Sequence, residues 1–210
     1  MTKILLADDH SIIRAALKTI IENNITGSVV EETADGDSVV EKIQNTDYDL
    51  LILDINMPGI NSVDLIGKIL SFKPQARILI FSMNPEVPFA KMYLQLGAIG
   101  YLTKTSSPEE IVKSIHTVLT GKKYLSYNLQ EEFADALIGP SLNPFQNLSS
   151  REFEIMLHVL RGETVKEISR QSGLGNSTVS TYKARIYEKL KTRNIMELVA
   201  LAKTYNIIKD

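Results

Sequence analysis

Five short apolar runs recur through the first 102 residues: Ile4 to Ala7, Ser28 to Thr33, Leu50 to Leu53, Arg77 to Phe81 and Ile99 to Leu102. Each is of strand length, and most are near-continuously apolar, as strands covered on both faces must be. Segments 12–23, 37–45, 62–71, 89–96 and 108–119 carry apolar residues at helical spacing instead, for example Ile111, Ile115, Val118 and Leu119. Strict alternation of strand and helix predicts a parallel sheet, because each parallel connection needs a crossover. The expected fold is α/β, a five-stranded parallel doubly wound sheet over residues 1–121. Ligands of such sheets bind at the carboxyl ends of the strands.

Gly121 closes the last helix, and residues 122–147 read as a linker with a short helix over 129–138. From Leu148 to Asp210 only helical patterns occur, predicting a small all-α domain of four helices. Ser149 or Ser150 caps the first, which carries Phe153, Met156, Leu157 and Leu160. The others are expected over 165–171, 177–190 and 194–205, with a tight turn at Gly173 to Asn176 between the second and third.

Charge divides along the same boundaries. Residues 1–121 hold 10 basic and 15 acidic side chains, 122–147 hold 2 and 3, and 148–210 hold 11 and 7, giving −5, −1 and +4. A basic tail on an acidic body points to nucleic acid as a partner of the tail. The chain has no Cys, which excludes disulfides, thiolate catalysis and Cys-ligated zinc. No apolar stretch is long enough to span a membrane, so a cytoplasmic protein is expected.

Asp8 and Asp9 end the first strand and Asp54 ends the third, so a doubly wound sheet would bring three carboxylates to one edge. Like charges that close repel unless a cation neutralises them, and a hard cation such as Mg²⁺ suits oxygen ligands. Ser82 follows the fourth strand, Tyr101 lies in the fifth and Lys104 ends it. A carboxylate attacking a phosphoryl group needs such a lysine to neutralise charge and such a hydroxyl to donate to the product. Asp8-Asp9, Asp54 with Met57-Pro58-Gly59, Ser82, and Leu96-Gly97-Ala98 leading to Gly100-Tyr101-Leu102 and Lys104 resemble, in order, the flavodoxin-like receiver domain of two-component response regulators.

The resemblance implies that Asp54 accepts a phosphoryl group from a sensor histidine kinase. It also implies that Asp8, Asp9, Asp54 and the backbone carbonyl of Asn56 hold Mg²⁺, that Lys104 and Ser82 contact the phosphoryl oxygens, and that Tyr101 is a rotameric switch. Three features depart from the family pattern. Thr105 follows Lys104 where a cis proline is usual, so a trans bond is expected. Met83 takes a position usually given to a small residue and is expected to crowd the phosphoryl group. Pro85 and Pro88 are expected to delay the helix containing Met92.

On the third tail helix, Val179, Tyr182, Ile186 and Leu190 share one side, and Ser177, Ser180, Thr181, Ala184, Arg185 and Glu188 share the other. Small polar residues flanked by cations suit a helix that enters a DNA groove. Leu148-Ser149, Arg151-Glu152, Gly162, Val165, Glu167-Ile168-Ser169, Ser177 through Lys183, and Lys189-Leu190 resemble the LuxR-type helix-turn-helix, in wording nearest the BvgA, EvgA and FimZ group of NarL-type regulators. That pattern implies Ser180, Thr181 and Ala184 at base edges and Thr178, Lys183, Arg185 and Lys189 at the DNA backbone. Ser172 stands where a core Leu is usual, and Gly175 where a capping Ser is usual.

The halves together predict a bacterial transcription regulator that binds promoter DNA as a homodimer when phosphorylated, with RNA polymerase a further expected partner. A rival reading, a Mg²⁺-dependent phosphatase with Asp54 as nucleophile, would place a second acid two residues on, where this chain has Asn56. The expected protein is therefore not a turnover enzyme. A second rival binds DNA without phosphorylation, its acidic site vestigial. His10, His116 and His158 are isolated in sequence and expected to carry no metal or catalytic role. Met196 and Leu201, on the last helix, are candidates for a dimer contact.

Overall fold

A computed structural model of the chain describes residues 1–84, 86–131, 143–205 and 207–208, side chains 87 and 88 excepted. Strands β1 (Thr2–Ala7), β2 (Ser28–Thr33), β3 (Leu50–Leu53), β4 (Ile78–Ser82) and β5 (Gly100–Thr103) alternate with helices α1 (Ser11–Asn24), α2 (Gly36–Asn45), α3 (Ser62–Phe72), α4 (Glu86–Leu96) and α5 (Pro108–Leu119). All strand pairs are parallel, in the order β2-β1-β3-β4-β5. The predicted doubly wound sheet is therefore present.

Alternation of side chains along each strand divides the core in two. Ile4, Leu6, Leu50, Ile52, Leu79 and Phe81 face α1 and α5, packing with Leu17, Ile21, Ile111, Ile115 and Val118. Leu5, Ala7, Leu51, Leu53, Ile78 and Ile80 face α2, α3 and α4. Each of these side chains except Ala7 contributes about 2 kcal/mol by leaving water, and with both faces occupied polar chemistry is left to the sheet's ends, where the carboxyl edge carries the acidic residues.

The helix boundaries follow local chemistry. Asp35 caps α2 by accepting from the Ser38 N–H, and Asn61 caps α3 by accepting from the Val63 N–H. Gly97, at φ +111, turns the chain between α4 and β5 where a Cβ would strike Leu70. One expectation needs correction. Helix α4 starts at Glu86 rather than near Phe89, because Pro88 falls in its first turn, where an amide hydrogen has no intrahelical acceptor to lose. Pro85 lies outside the described residues.

Residues 122–131 return to the sheet. The Tyr124 N–H donates to the Ile99 carbonyl at 2.8 Å, Leu129 is fully buried, and residues 127–131 are helical. Residues 132–138 of the helix expected there lie outside the described residues.

A 3₁₀ turn, Pro144–Asn147, leads into α6 (Ser150–Leu160), α7 (Val165–Ser172), α8 (Asn176–Lys189) and α9 (Ile195–Thr204). Capping boxes start α6, from Ser149 and Glu152, and α7, from Thr164 and Glu167. Gly173 ends α7 in the left-handed region at φ +67, and the turn delivers Gly175 as the N-cap of α8. Val179, Ile186 and Leu190 are buried, as the wheel predicts. Ser172 is also buried, its hydroxyl donating to the Ile168 carbonyl at 2.7 Å. Among the described residues no helix is long and apolar enough to cross a membrane.

Candidate functional site

The strand order sets neighbouring chain ends side by side at the carboxyl edge. The Asp54 N–H donates to the Ala7 carbonyl at 2.8 Å and the Lys104 N–H to the Ser82 carbonyl at 2.7 Å, so the ends of β1 and β3, and of β4 and β5, lie side by side. Asp8 and Asp54 are 1 % and 3 % exposed. Lys104 Nζ bridges them, 2.6 Å from Asp8 Oδ2 and 2.8 Å from Asp54 Oδ2. A single ammonium leaves one negative charge unbalanced, and Asp9 beside it adds a second. Ligand atoms of Asp8, Asp9, Asp54 and His10 all lie within 4.8 Å of one another. Hard carboxylate oxygens with uncompensated charge in a shielded pocket fit a divalent cation such as Mg²⁺.

Around this centre the loops are tied down. The Asn56 N–H donates to Asp54 Oδ1 at 3.1 Å, and the Asn84 N–H donates to Ser82 Oγ at 3.1 Å. Tyr101 is fully buried, and its hydroxyl donates to the Asn84 carbonyl at 3.2 Å. Burial pushes its phenol far up, so it remains a neutral donor. Its ring lies 6.2 Å from that of Tyr93, whose hydroxyl shares a 2.9 Å hydrogen bond with Ser62 Oγ at the start of α3. Met83 is 52 % exposed, its side chain out toward solvent. The Lys104–Thr105 bond is trans, as expected.

Two residues of this region do not stand out in the sequence. His10 is isolated in the sequence from any second ligand-type histidine, yet its Nδ1 lies 2.7 Å from Asp9 Oδ1 and 3.1 Å from Asp8 Oδ1. Arg14, one turn along α1, donates to the Asp8 carbonyl at 2.5 Å. For His10 the only sequence signal was its place directly after Asp9.

In the tail domain, Ser177, Thr178, Ser180, Thr181, Ala184, Arg185 and Glu188 are exposed on one side of α8, and Lys183 is half-buried at its margin. The Ser180 and Thr181 hydroxyls donate to the carbonyls of Asn176 and Ser177, both at 3.0 Å, leaving their lone pairs outward as acceptors. Lys189 stands apart from the other cations. Its ammonium lies 2.6 Å from buried Glu152 Oε2 and donates to the Asn147 carbonyl at 3.3 Å. Burial opposes the charge on Glu152, but the hydrogen bonds from Lys189 and Ser149 outweigh it and hold this carboxyl below the usual range. Glu152 was not among the expected site residues, because a charge that caps one helix and clamps another has no sequence period. Met196 is exposed, whereas Leu201 is partly buried against the core.

The two parts meet at α4 and α6. Phe89 and Phe153 pack edge to face with ring centroids 5.2 Å apart. Arg151 reaches Asp64 of α3 at 3.7 Å, and Lys91 donates to the Gln146 carbonyl at 3.1 Å. The seam also leaves an open cleft of about 590 Å³ between the loop after Asp54 and α6, lined by Asn56, Tyr93, Glu154 and His158 among others.

A doubly wound sheet with this acidic edge, followed by this helical tail, defines a response regulator. The family model for the response regulator receiver domain matches residues 4–116, and that for bacterial regulatory proteins of the luxR family matches residues 146–202. The chain belongs to that family. It is similar to the response regulator UvrY of Escherichia coli K12, at 34 % identity over 96 % of this chain and 94 % of the relative. It is also similar to the response regulator GacA of Pseudomonas syringae pv. syringae, at 31 % identity over 99 % and 98 %. RcsB of Salmonella enterica serovar Typhimurium, solved on a promoter with a phosphomimetic BeF₃⁻, shares the fold with a TM-score of 0.81 at 23 % identity, over 97 % of this chain and 98 % of RcsB.

Proposed function

We propose that Asp54 is phosphorylated by a sensor histidine kinase and that this modification controls promoter binding by the tail domain. The observation that carries the reading is the buried Asp8–Lys104–Asp54 bridge, since it holds a carboxylate and a cation at one point on the carboxyl edge. Asp8, Asp9, Asp54 and the Asn56 carbonyl are the groups that would hold Mg²⁺, which when bound offsets charge on phosphoryl oxygens. Lys104 Nζ can pass from Asp54 Oδ2 to the phosphoryl group without leaving the pocket. Ser82 Oγ, now accepting from the Asn84 N–H, would turn to donate its own proton to that group. Because the same Asn84 carbonyl accepts from Tyr101, a shift of this loop reaches α4 and its contact with α6.

Phosphorylation adds about two negative charges, enough to draw both donors inward. Asn56 offers an amide where a phosphatase of the rival type needs an acid, so the phosphoryl group is retained and the protein is a switch, not a turnover enzyme. On the tail, Ser180, Thr181 and Ala184 would meet base edges, with Thr178, Lys183 and Arg185 on the DNA backbone. The homodimer would place two such helices on paired half-sites, and DNA-bound dimers are reported for RcsB. RNA polymerase is a further proposed partner. Intact-mass analysis after acetyl phosphate treatment tests the first step: the parent gains one phosphoryl group and Asp54→Asn gains none. Equal uptake by both would refute the assignment. The DNA step predicts loss of promoter binding in a Lys183→Ala, Arg185→Ala double variant.

A further inference from the structure

We infer that His10 supplies a nitrogen ligand to the metal at the carboxyl edge, giving the site a higher affinity for divalent transition metals than an all-oxygen set would have. The inference rests on the metal-site reading above and extends it to a residue which that reading does not use. Nδ1 of His10 faces two acceptor oxygens, Asp9 Oδ1 at 2.7 Å and Asp8 Oδ1 at 3.1 Å. Ligands about 2.1 Å from a six-coordinate ion lie about 3 Å from each other at adjacent positions. Nδ1 thus stands from each of the two oxygens at the spacing that one shared cation imposes. Lys104 engages the other carboxylate oxygen of Asp8, Oδ2, so the contacts a metal would meet at Oδ1 are those from His10 itself.

The backbone favours the same placement. The His10 N–H donates to Asp8 Oδ1 at 2.8 Å, which folds the loop so that the ring stands over the carboxylates. As the residue preceding α1, His10 makes no side-chain capping bond, and its side chain is 58 % exposed, with ring contacts to Asp8 and Asp9. Mg²⁺ takes oxygen and water in preference to imidazole, whereas imidazole is accepted increasingly well from Mn²⁺ through Co²⁺ to Ni²⁺, and well by Zn²⁺. Under this arrangement the kind of ion bound depends on His10 and the presence of a site depends on the carboxylates.

The test uses the full chain, its His10→Ala variant and three ions. Titration with Mg²⁺, Mn²⁺ and Co²⁺ should show Mg²⁺ affinity within about twofold in the two proteins and Co²⁺ affinity about tenfold or more weaker in His10→Ala. Electron spin echo spectroscopy of the Mn²⁺ form should show nitrogen modulation in the parent and none in His10→Ala. Mn²⁺ bound without nitrogen modulation, together with equal Co²⁺ affinities, would overturn the role of His10 while leaving the carboxylate site standing. Failure of both proteins to bind any of the three ions would overturn the metal site and this inference together.

Discussion

Phe89→Leu separates the docking of the two domains from the folding of either. Leu keeps most of the apolar burial that Phe89 gives α4, so the receiver sheet retains its cover, but the edge-to-face pair with Phe153 is lost. Such pairs contribute about 0.5–1.5 kcal/mol beyond area burial. The rest of the seam is poorly placed to compensate. Arg151 and Asp64 are 3.7 Å apart at a partly exposed site, worth under about 1 kcal/mol, and the open cleft of about 590 Å³ that Phe89 itself lines leaves its surroundings less closely packed. A loss of about 1 kcal/mol lowers the ratio of docked to undocked molecules about fivefold. The chain has no Cys, so cysteines introduced at exposed Lys68 and Glu188 take spin labels uniquely. Double electron-electron resonance should show a longer and broader component growing in Phe89→Leu relative to the parent, with little change in melting temperature. An unchanged distance distribution would refute the claim that this pair holds the domains together.

Other outcomes follow from the same contacts. Lys104→Met leaves buried Asp8 and Asp54 without their cation and should cost about 3 kcal/mol in a thermal melt, most of it recovered in millimolar Mg²⁺; no loss would contradict the bridge. Lys189→Met should destabilise the tail domain by about 2 kcal/mol by orphaning Glu152, whereas Lys183→Ala should leave the melt unchanged and weaken DNA binding. Chemical denaturation of the parent should lose stability at acid pH. Glu152 is held below its ordinary value of 4.5, so its contribution is present above that value and disappears as the pH falls through the lower, folded one. Glu152→Gln should remove that part of the acid limb, and an identical pH profile would count against the Lys189 clamp.

How far all this could be read beforehand depends on the range of the interaction. Leu50 to Leu53 is legible as a strand because continuous apolar character needs cover on both faces, and the exposed side of α8 is legible because one helical wheel contains it. The Asp8, Asp54 and Lys104 cluster was legible only through strand order, which places three distant chain ends together. The start of α4 is not legible, because proline breaks a helix interior but is tolerated in a first turn, and the sequence does not show which of the two Pro88 occupies. The Lys189–Glu152 clamp, the return of Tyr124 to β5 and the approach of His10 to Asp9 depend on rotamers and on the packing of segments far apart in sequence. No periodicity carries those. The meeting of Phe89 with Phe153 is of the same kind, since each residue satisfies its own helix pattern without reference to the other.

The most direct test of the whole account is the affinity of the full chain for a duplex selected from genomic DNA, measured by fluorescence anisotropy at fixed salt with and without acetyl phosphate and Mg²⁺. The parent should bind at least about tenfold tighter after treatment through paired half-sites, and Asp54→Asn should bind with one affinity in both conditions. Equal tightening in Asp54→Asn, or none in a parent shown by mass to be phosphorylated, would contradict phosphorylation of Asp54 as the control of DNA binding.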